Sequence, residues 1–449
     1  MRDITRFGTD AGTYMPVAAA IAIAIAIIAV LGVQRRNVLV PFLFAALVIP
    51  MAPRITVAGF NMHSARILLL FAWVRVLADS KPVKLRLNSI DKWYIAWGIG
   101  SLVTFTLLWG DFAALANRVG LLYNGFGTYF LVRIVCERYE GRDRTVVVAL
   151  LAAVSVISLG MLLDHVVGHN FFAYLGGVPE HGEIREGRLR AQGPMGHAIL
   201  AGVLGAVLLP VALGQWWGKG AWRKPLVFVA IAACLLAVLA SASSTPLMVL
   251  AAVVVGLCWW PLRNWMRALR WTAVALVIAL HLLMKAPVWA LIARVDVVGG
   301  NSAYHRFELV NGAIVHFADW WLLGVKTTAN WGSGWFTFDT ANQYVDTAVT
   351  GGLATLVCFL AVISLCFSRI GKAWRLAPPA DAKRYWCVGV FLFANCVAFV
   401  GVAYFDQTSI MWYAVLGLIA SISLQRLRTQ PQPLPVETGD AQEFAAVTL

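Results

Sequence analysis

Residues 337–367 read "TFDTANQYVDTAVTGGLATLVCFLAVISLCF", a polar mouth followed by an apolar run that carries no charge beyond Asp346. A membrane-crossing helix needs roughly 20 largely apolar residues, within a range of about 17–25. Residues 342–367 meet that rule, so this stretch is read as a span. Its start holds Asp339, Asn342, Gln343, Tyr344 and Asp346, where a chain entering lipid should shed polar groups. Either these residues form the wet end that every span has, or they face a substrate.

Outward from this span, the same rule finds apolar segments near 15–33, 37–52, 62–78, 93–110, 114–136, 145–167, 197–216, 225–241, 244–260, 271–285, 386–405 and 408–424. The total is thirteen, or twelve if the short 37–52 segment is re-entrant. The expected fold class is an all-α integral membrane protein. Residues 1–424 form one polytopic domain, and the Pro-rich polar tail 425–449 is disordered and cytoplasmic. Composition agrees, with 60% of the 449 residues hydrophobic, 13% charged and a mean hydropathy of +0.75. A soluble domain is nearer half apolar and a quarter charged.

The net charge of +14 follows the concentration of Lys and Arg in cytoplasmic loops and does not point to nucleic acid. One set of short connections carries pairs and clusters such as Arg35/Arg36, Arg138/Arg142/Arg144 and Arg263/Arg267/Arg270, whereas the other set contains only Arg54. The first set is therefore cytoplasmic. Two long connections, 168–196 and 286–341, fall on the outer side, and long loops in compact proteins are usually functional. The seven cysteines form no CxxC pair, which excludes a thiolate zinc site and a disulfide framework. The first residues lack the order of a signal peptide, so the first apolar run is expected to stay as a helix.

Charged groups inside the spans lie toward helix ends: Arg118, Asp164, His165 and His281 outward, Arg75 and Arg133 inward. Seven of the eight histidines lie at or beyond the outer boundary, and His281 is close to it. A transporter would place ionisable groups near the midplane, so chemistry at the outer surface fits better. In "NSAYHRFELVNGAIVHFADWW" (301–321), His305, Glu308, Gly312, His316 and Asp319 recur at helical spacing, with Phe307, Val310, Ile314, Phe317 and Trp321 one face away. This predicts an amphipathic helix at the interface. Either its polar stripe faces water, or some of these groups act.

In the other loop Arg185, Arg188 and Arg190 alternate with Glu180, Glu183 and Glu186, which allows self-paired surface charges at Arg185 and Arg188. Arg190 directly precedes "AQGPMGHAILAG", where a helix starts and His197 lies one turn further in. An Arg beside a glycine-containing helix start suits phosphate oxygens. There is no HExxH, no outward DxD pair and no GxxxxGK[ST] loop, so no metal and no other cofactor is expected.

Four segments carry a family resemblance: "ANRVGLLYNGFGTYFLVRIVCERYE" (116–140), "RLRAQGPMGHAILAG" (188–202), "LASASSTPLMVLAAVVVGL" (239–257), and "HRFELVNGAIVHFADWWLLGV" with "DTANQYVDTAVTGGLATL" (305–325 and 339–356). The chain resembles the O-antigen ligase and polysaccharide polymerase superfamily of integral-membrane glycosyltransferases. That resemblance implies a GT-C-like fold in a bacterial inner membrane, with the active site facing the periplasm. It implies metal-independent, inverting transfer of a glycan from undecaprenyl diphosphate to a sugar hydroxyl, with membrane lipid and other polysaccharide assembly proteins as partners. Arg190 and Arg306 would hold the diphosphate. His197, Asn342, Tyr344 and Lys326 complete the substrate-binding set, and Asp339, His305 or His316 would be the general base. The chain departs from the ligases at Ala341, where their His stands, and at Ser243–Ser244–Thr245, where they carry an Arg. Both departures favour a polymerase-type member. The alternatives are a transporter of lipid-linked glycan and a non-catalytic scaffold of an assembly complex.

Overall fold

The computed structural model describes residues 13–57, 60–78, 85–139, 141–217, 224–294, 302–332 and 340–429. The chain is mostly helical (76%), with little sheet. Its helices are α1 (Val17–Gly32), α2 (Leu39–Val48), α3 (Ser64–Leu77), α4 (Ser89–Trp109), α5 (Phe112–Arg138), α6 (Asp143–Val167), α7 (Ala198–Gly214) and α8 (Lys224–Ala240). They continue with α9 (Ser244–Cys258), α10 (Met266–Leu283), α11 (Ser302–Val315), α12 (Phe317–Trp320), α13 (Gln343–Leu376), α14 (Pro379–Gly401), α15 (Asp406–Ala420) and α16 (Leu424–Thr429). Two short antiparallel hairpins, β1 (Arg54–Val57) with β2 (Phe60–His63) and β3 (Glu183–Arg185) with β4 (Arg188–Arg190), sit at one end of the bundle.

All thirteen apolar segments coincide with helices. Among the described residues six helical stretches are long and apolar enough to cross a membrane: α5, α6, α13, α14, α7 extended to Trp217, and α10 extended back to Arg263. The chain is an all-α, multi-pass membrane protein. Helix α2 has only 10 residues, a rise of about 15 Å, roughly half the ~30 Å of hydrocarbon. It is buried against α3, α6 and α15 instead of lipid. Helix α10 is the opposite case: none of its residues is buried, and Trp271, Leu276, Leu282 and Leu283 are all exposed. Such a helix is stable only where lipid covers it. The segment read as a disordered tail begins as helix α16, and 430–449 lie outside the described residues.

The stretch quoted at the outset forms the first half of α13, and the helix breaks at Gly352 (φ 76°, ψ 176°). The peptide groups freed there are taken up by the connection from α12. Leu353 N–H donates to the Trp321 carbonyl (2.8 Å), and Val325 N–H donates to the Val349 carbonyl (2.7 Å). A Cβ at Gly352 would collide with the Leu322 carbonyl, and one at Gly324 (φ 98°) with the Val349 carbonyl. Two glycines thus let this connection lie directly on α13.

The amphipathic helix of 301–321 is present but divided, α11 ending at Val315 and α12 restarting at Phe317. Its buried face lies beside the polar stripe and not under the apolar one. Arg306, Leu309, Gly312 and Ala313 are buried, while Ile314, Phe317 and Trp321 are each about half exposed. The soluble-protein rule of apolar inward fails because the surroundings of a membrane protein are themselves apolar.

The end of the bundle opposite the hairpins is clamped by a buried charge network. Asp91 (0% exposed) accepts from the Tyr129 hydroxyl (2.6 Å), the Asn88 N–H (2.7 Å) and the Arg133 guanidinium (3.3 and 3.4 Å). This ties α4 to α5, and Arg133 also reaches Glu137 at 2.6 Å.

Candidate functional site

Two arginines from distant parts of the chain converge on the start of α9. Arg190, at the end of β4, is 4% exposed. Its Nη2 and Nε donate to the Ser243 hydroxyl (2.8 and 3.3 Å), and its Nη1 pairs with Glu183 across the hairpin (2.9 Å). The hairpin register sets this pair, since Glu183 and Arg190 face each other and Ala191 N–H then docks on the Ala240 carbonyl (3.1 Å). Arg306, on the buried face of α11, is 7% exposed and donates from Nη2 to the Thr245 hydroxyl (2.8 Å). Ser243 and Thr245 are two residues apart, so the anchored guanidinium groups share one helix start, within about 7 Å of chain.

That helix start is unusual in its capping. Ser243 occupies the N-cap position but makes no side-chain cap. Its hydroxyl instead donates to the Ser241 carbonyl (2.9 Å) and accepts from Arg190. The first backbone N–H groups of α9 therefore lack the usual side-chain acceptor. Together with two guanidinium groups they make a strongly positive locus suited to an anion. Burial lowers the Arg190 pKa, and the Glu183 carboxylate beside it pulls it back up. Glu183 is itself 59% exposed, so its compensation is screened by solvent.

The other candidates divide. Asn342 caps α13, accepting from Tyr344 N–H (3.0 Å) and Val345 N–H (3.1 Å), and its amide donates to the Val400 carbonyl (3.2 Å). The next residue, Gly401, adjoins the arginine site: a Cβ there would lie 2.9 Å from Thr245 Cγ2 and 3.5 Å from Arg306 Nε. Asn342 is thus close to Arg306 but occupied in holding helix ends. Tyr344 donates to the Cys396 carbonyl (3.0 Å) and packs edge-on against Phe359 and Phe399. His197 caps α7, its Nδ1 accepting from Ile199 N–H (3.1 Å). These three residues have visible structural work.

His305 is half-buried and precedes Arg306, about 100° around α11. His316 lies ten residues beyond Arg306, roughly 15 Å along the helix, paired with Asp319 (3.0 Å) and stacked on Trp331. One reacting atom cannot be served from both histidines. Lys326 is exposed and lies over the Trp109 ring (5.5 Å), on α4. Asp339 lies outside the described residues.

A second polar feature of this end has little signal in the sequence. A cavity of about 590 Å³ opens between the β1/β2 hairpin, α4, α5, the start of α13 and the start of α15. It is lined by Arg54, Arg66 and Arg118 and by the carboxylates of Asp346 and Asp406. The first turn of α13 divides the two features, with Asn342 toward the arginine site and Gln343 and Asp346 lining the cavity. One signal was legible, since Arg54 is the lone cation of the outward short connections. Arg66 and Arg118 sit in apolar helices, where a charge reads as an ordinary helix end.

Among the described residues no group of three or more His, Cys, Asp or Glu side chains could hold a metal ion. Comparison with known protein families finds no match, and comparison with characterised proteins finds none either.

Proposed function

We propose that this protein transfers a glycan from a polyprenyl diphosphate carrier to a sugar hydroxyl, in the manner of the polysaccharide polymerases and O-antigen ligases it resembles. The observation that carries this reading is the convergence of Arg190 and Arg306 on the uncapped start of α9. The Ser243 and Thr245 hydroxyls aim the two guanidinium groups at one helix start, and the Glu183 carboxylate on Arg190 is solvent-screened. Such an arrangement neutralises charge as a diphosphate departs, which is the main electrostatic demand of the reaction.

The active site then lies at the periplasmic face of a bacterial inner membrane, because the hairpin end is opposite the Arg- and Lys-rich connections. Tyr14, just ahead of α1, bridges Arg54 at the hairpin end. Helix α2 leads from Arg35–Asn37 to that same end, where the Ser64 hydroxyl donates to the Pro50 carbonyl (2.9 Å). Both contacts support thirteen crossings, with the start of α1 on the periplasmic side. The exposed apolar flank next to α10 leaves lipid in reach for the carrier's tail. A sugar hydroxyl must lose its proton as it attacks. Asp339 is the proposed base, with His305 the alternative on the Arg306 side of α11. Direct displacement inverts the anomeric centre: the acceptor oxygen forms the new glycosidic bond while the bond to the diphosphate breaks, and the proton goes to the base.

The test is accumulation. In a deletion strain carrying Arg306→Ala at normal expression, lipid-linked repeat units should build up while polymer disappears. A scaffold would tolerate the substitution, and a transporter would trap the lipid-linked unit on the cytoplasmic face.

A further inference from the structure

The 590 Å³ cavity does not contain the Arg190 and Arg306 pair, yet it gathers three arginines and two aspartates at this end of the bundle. Its volume falls within the range of small-molecule sites, about 300–1,000 Å³. Arg66 is aimed by neutral groups, Nε donating to Asn124 Oδ1 (3.0 Å) and Nη1 to the Asn61 carbonyl. Arg118 packs its guanidinium on the Phe105 ring (3.8 Å) and interacts electrostatically with Asp346 across the opening. Among the described residues the buried Nε atoms of Arg54 and Arg118 have no protein partner. Nor do the Tyr94 hydroxyl, on a side chain 1% exposed, and the Trp97 indole N–H. Buried donors left in this state call for a ligand that accepts hydrogen bonds.

Charge and shape narrow the ligand. Among the described residues three guanidinium groups face two carboxylates, so one positive charge remains. That balance suits a single carboxylate, whereas a diphosphate carries at least two negative charges and already has the arginines at α9. The tyrosine and tryptophan donors match the acceptor oxygens of ring hydroxyls.

We propose that this cavity binds a carboxylate-bearing sugar, a hexuronate-type ring on the acceptor glycan, with Arg66 and Arg118 holding the carboxylate and Tyr94 and Trp97 the hydroxyls. The assignment of the ring to the acceptor rests on the glycosyl-transfer reading, and it makes the product an acidic polysaccharide. The acceptor then approaches the α9 site across the first turn of α13.

The experiment is ligand binding to the full-length protein in nanodiscs, with trigalacturonate, maltotriose and inorganic pyrophosphate as probes. Trigalacturonate should bind at least about tenfold more tightly than maltotriose, the scale of one charge-assisted contact. The preference should shrink with added salt and vanish in Arg66→Gln and Arg118→Gln, while pyrophosphate should not displace the acidic trisaccharide. Equal affinities for the two trisaccharides overturn the proposal. Displacement by pyrophosphate also overturns it and assigns the cavity to the carrier's diphosphate. Should the variants fail to fold, the wild-type ratio and its salt dependence decide alone. Binding needs no turnover, so its outcome is independent of the Arg306→Ala accumulation assay.

Discussion

Replacing Arg190 by Lys keeps the charge and removes the fork. The guanidinium serves two directions, with Nη2 and Nε on Ser243 (2.8 and 3.3 Å) and Nη1 on Glu183 (2.9 Å). One ammonium nitrogen cannot span both, and a diphosphate oxygen would compete with both. A hydrogen bond to a charged group contributes about 1.5–3 kcal/mol, and 1.4 kcal/mol is a factor of ten. Arg190→Lys should therefore lower kcat/KM by about 10–100-fold. Ser243→Ala leaves the arginine but frees one end of it, and the expected loss is about tenfold. Glu183→Gln should cost less than about threefold, because that carboxylate is 59% exposed and such pairs contribute little. The assay is release of polyprenyl diphosphate from a lipid-linked repeat by the purified protein. If Glu183→Gln proves as damaging as Arg190→Lys, the arginine acts through the hairpin and not on the donor, and the reasoning fails.

Two further variants separate structure from chemistry. Arg133→Ala should destabilise the fold by about 3 kcal/mol, the lower end for a broken buried pair, since Asp91 keeps the Tyr129 hydroxyl and the Asn88 N–H. Thermal unfolding in detergent, followed by Trp fluorescence, should show a lower melting temperature, and an unchanged one would mean that the clamp is idle. His197→Ala should cost about 1 kcal/mol through the lost cap on α7, with His197→Asn restoring stability. A catalytic deficit that persists in a stable His197→Asn variant would give the ring a substrate role beyond the cap.

The helices were legible because thirteen apolar runs of near-span length leave no other reading, and lipid tolerates α10 as readily as the buried α7. The burial of α2 was not, since a short apolar helix packed on protein differs from one facing lipid only in what surrounds it. Which face of α11 packs inward was not legible for the same reason: pattern shows that a helix is amphipathic, not which solvent it meets. Arg190 stood out in the sequence, ahead of an apolar helix, and Arg306 entered through the family resemblance. Their meeting point did not. Ser243 and Thr245 read as the absence of a family arginine, whereas their hydroxyls anchor guanidinium groups arriving from 53 and 61 residues away. Contacts at that separation belong to the fold and leave no local spacing to find.

The central claim is covalent transfer from a diphosphate carrier, and reconstitution measures it directly. The purified full-length protein would be placed in liposomes with a defined lipid-linked repeat, and glycan length and free carrier diphosphate followed together. The account predicts one carrier diphosphate released for each repeat added, with both signals lost in Arg306→Ala. Movement of an intact lipid-linked repeat across the bilayer, with no glycan growth and no release, would contradict it.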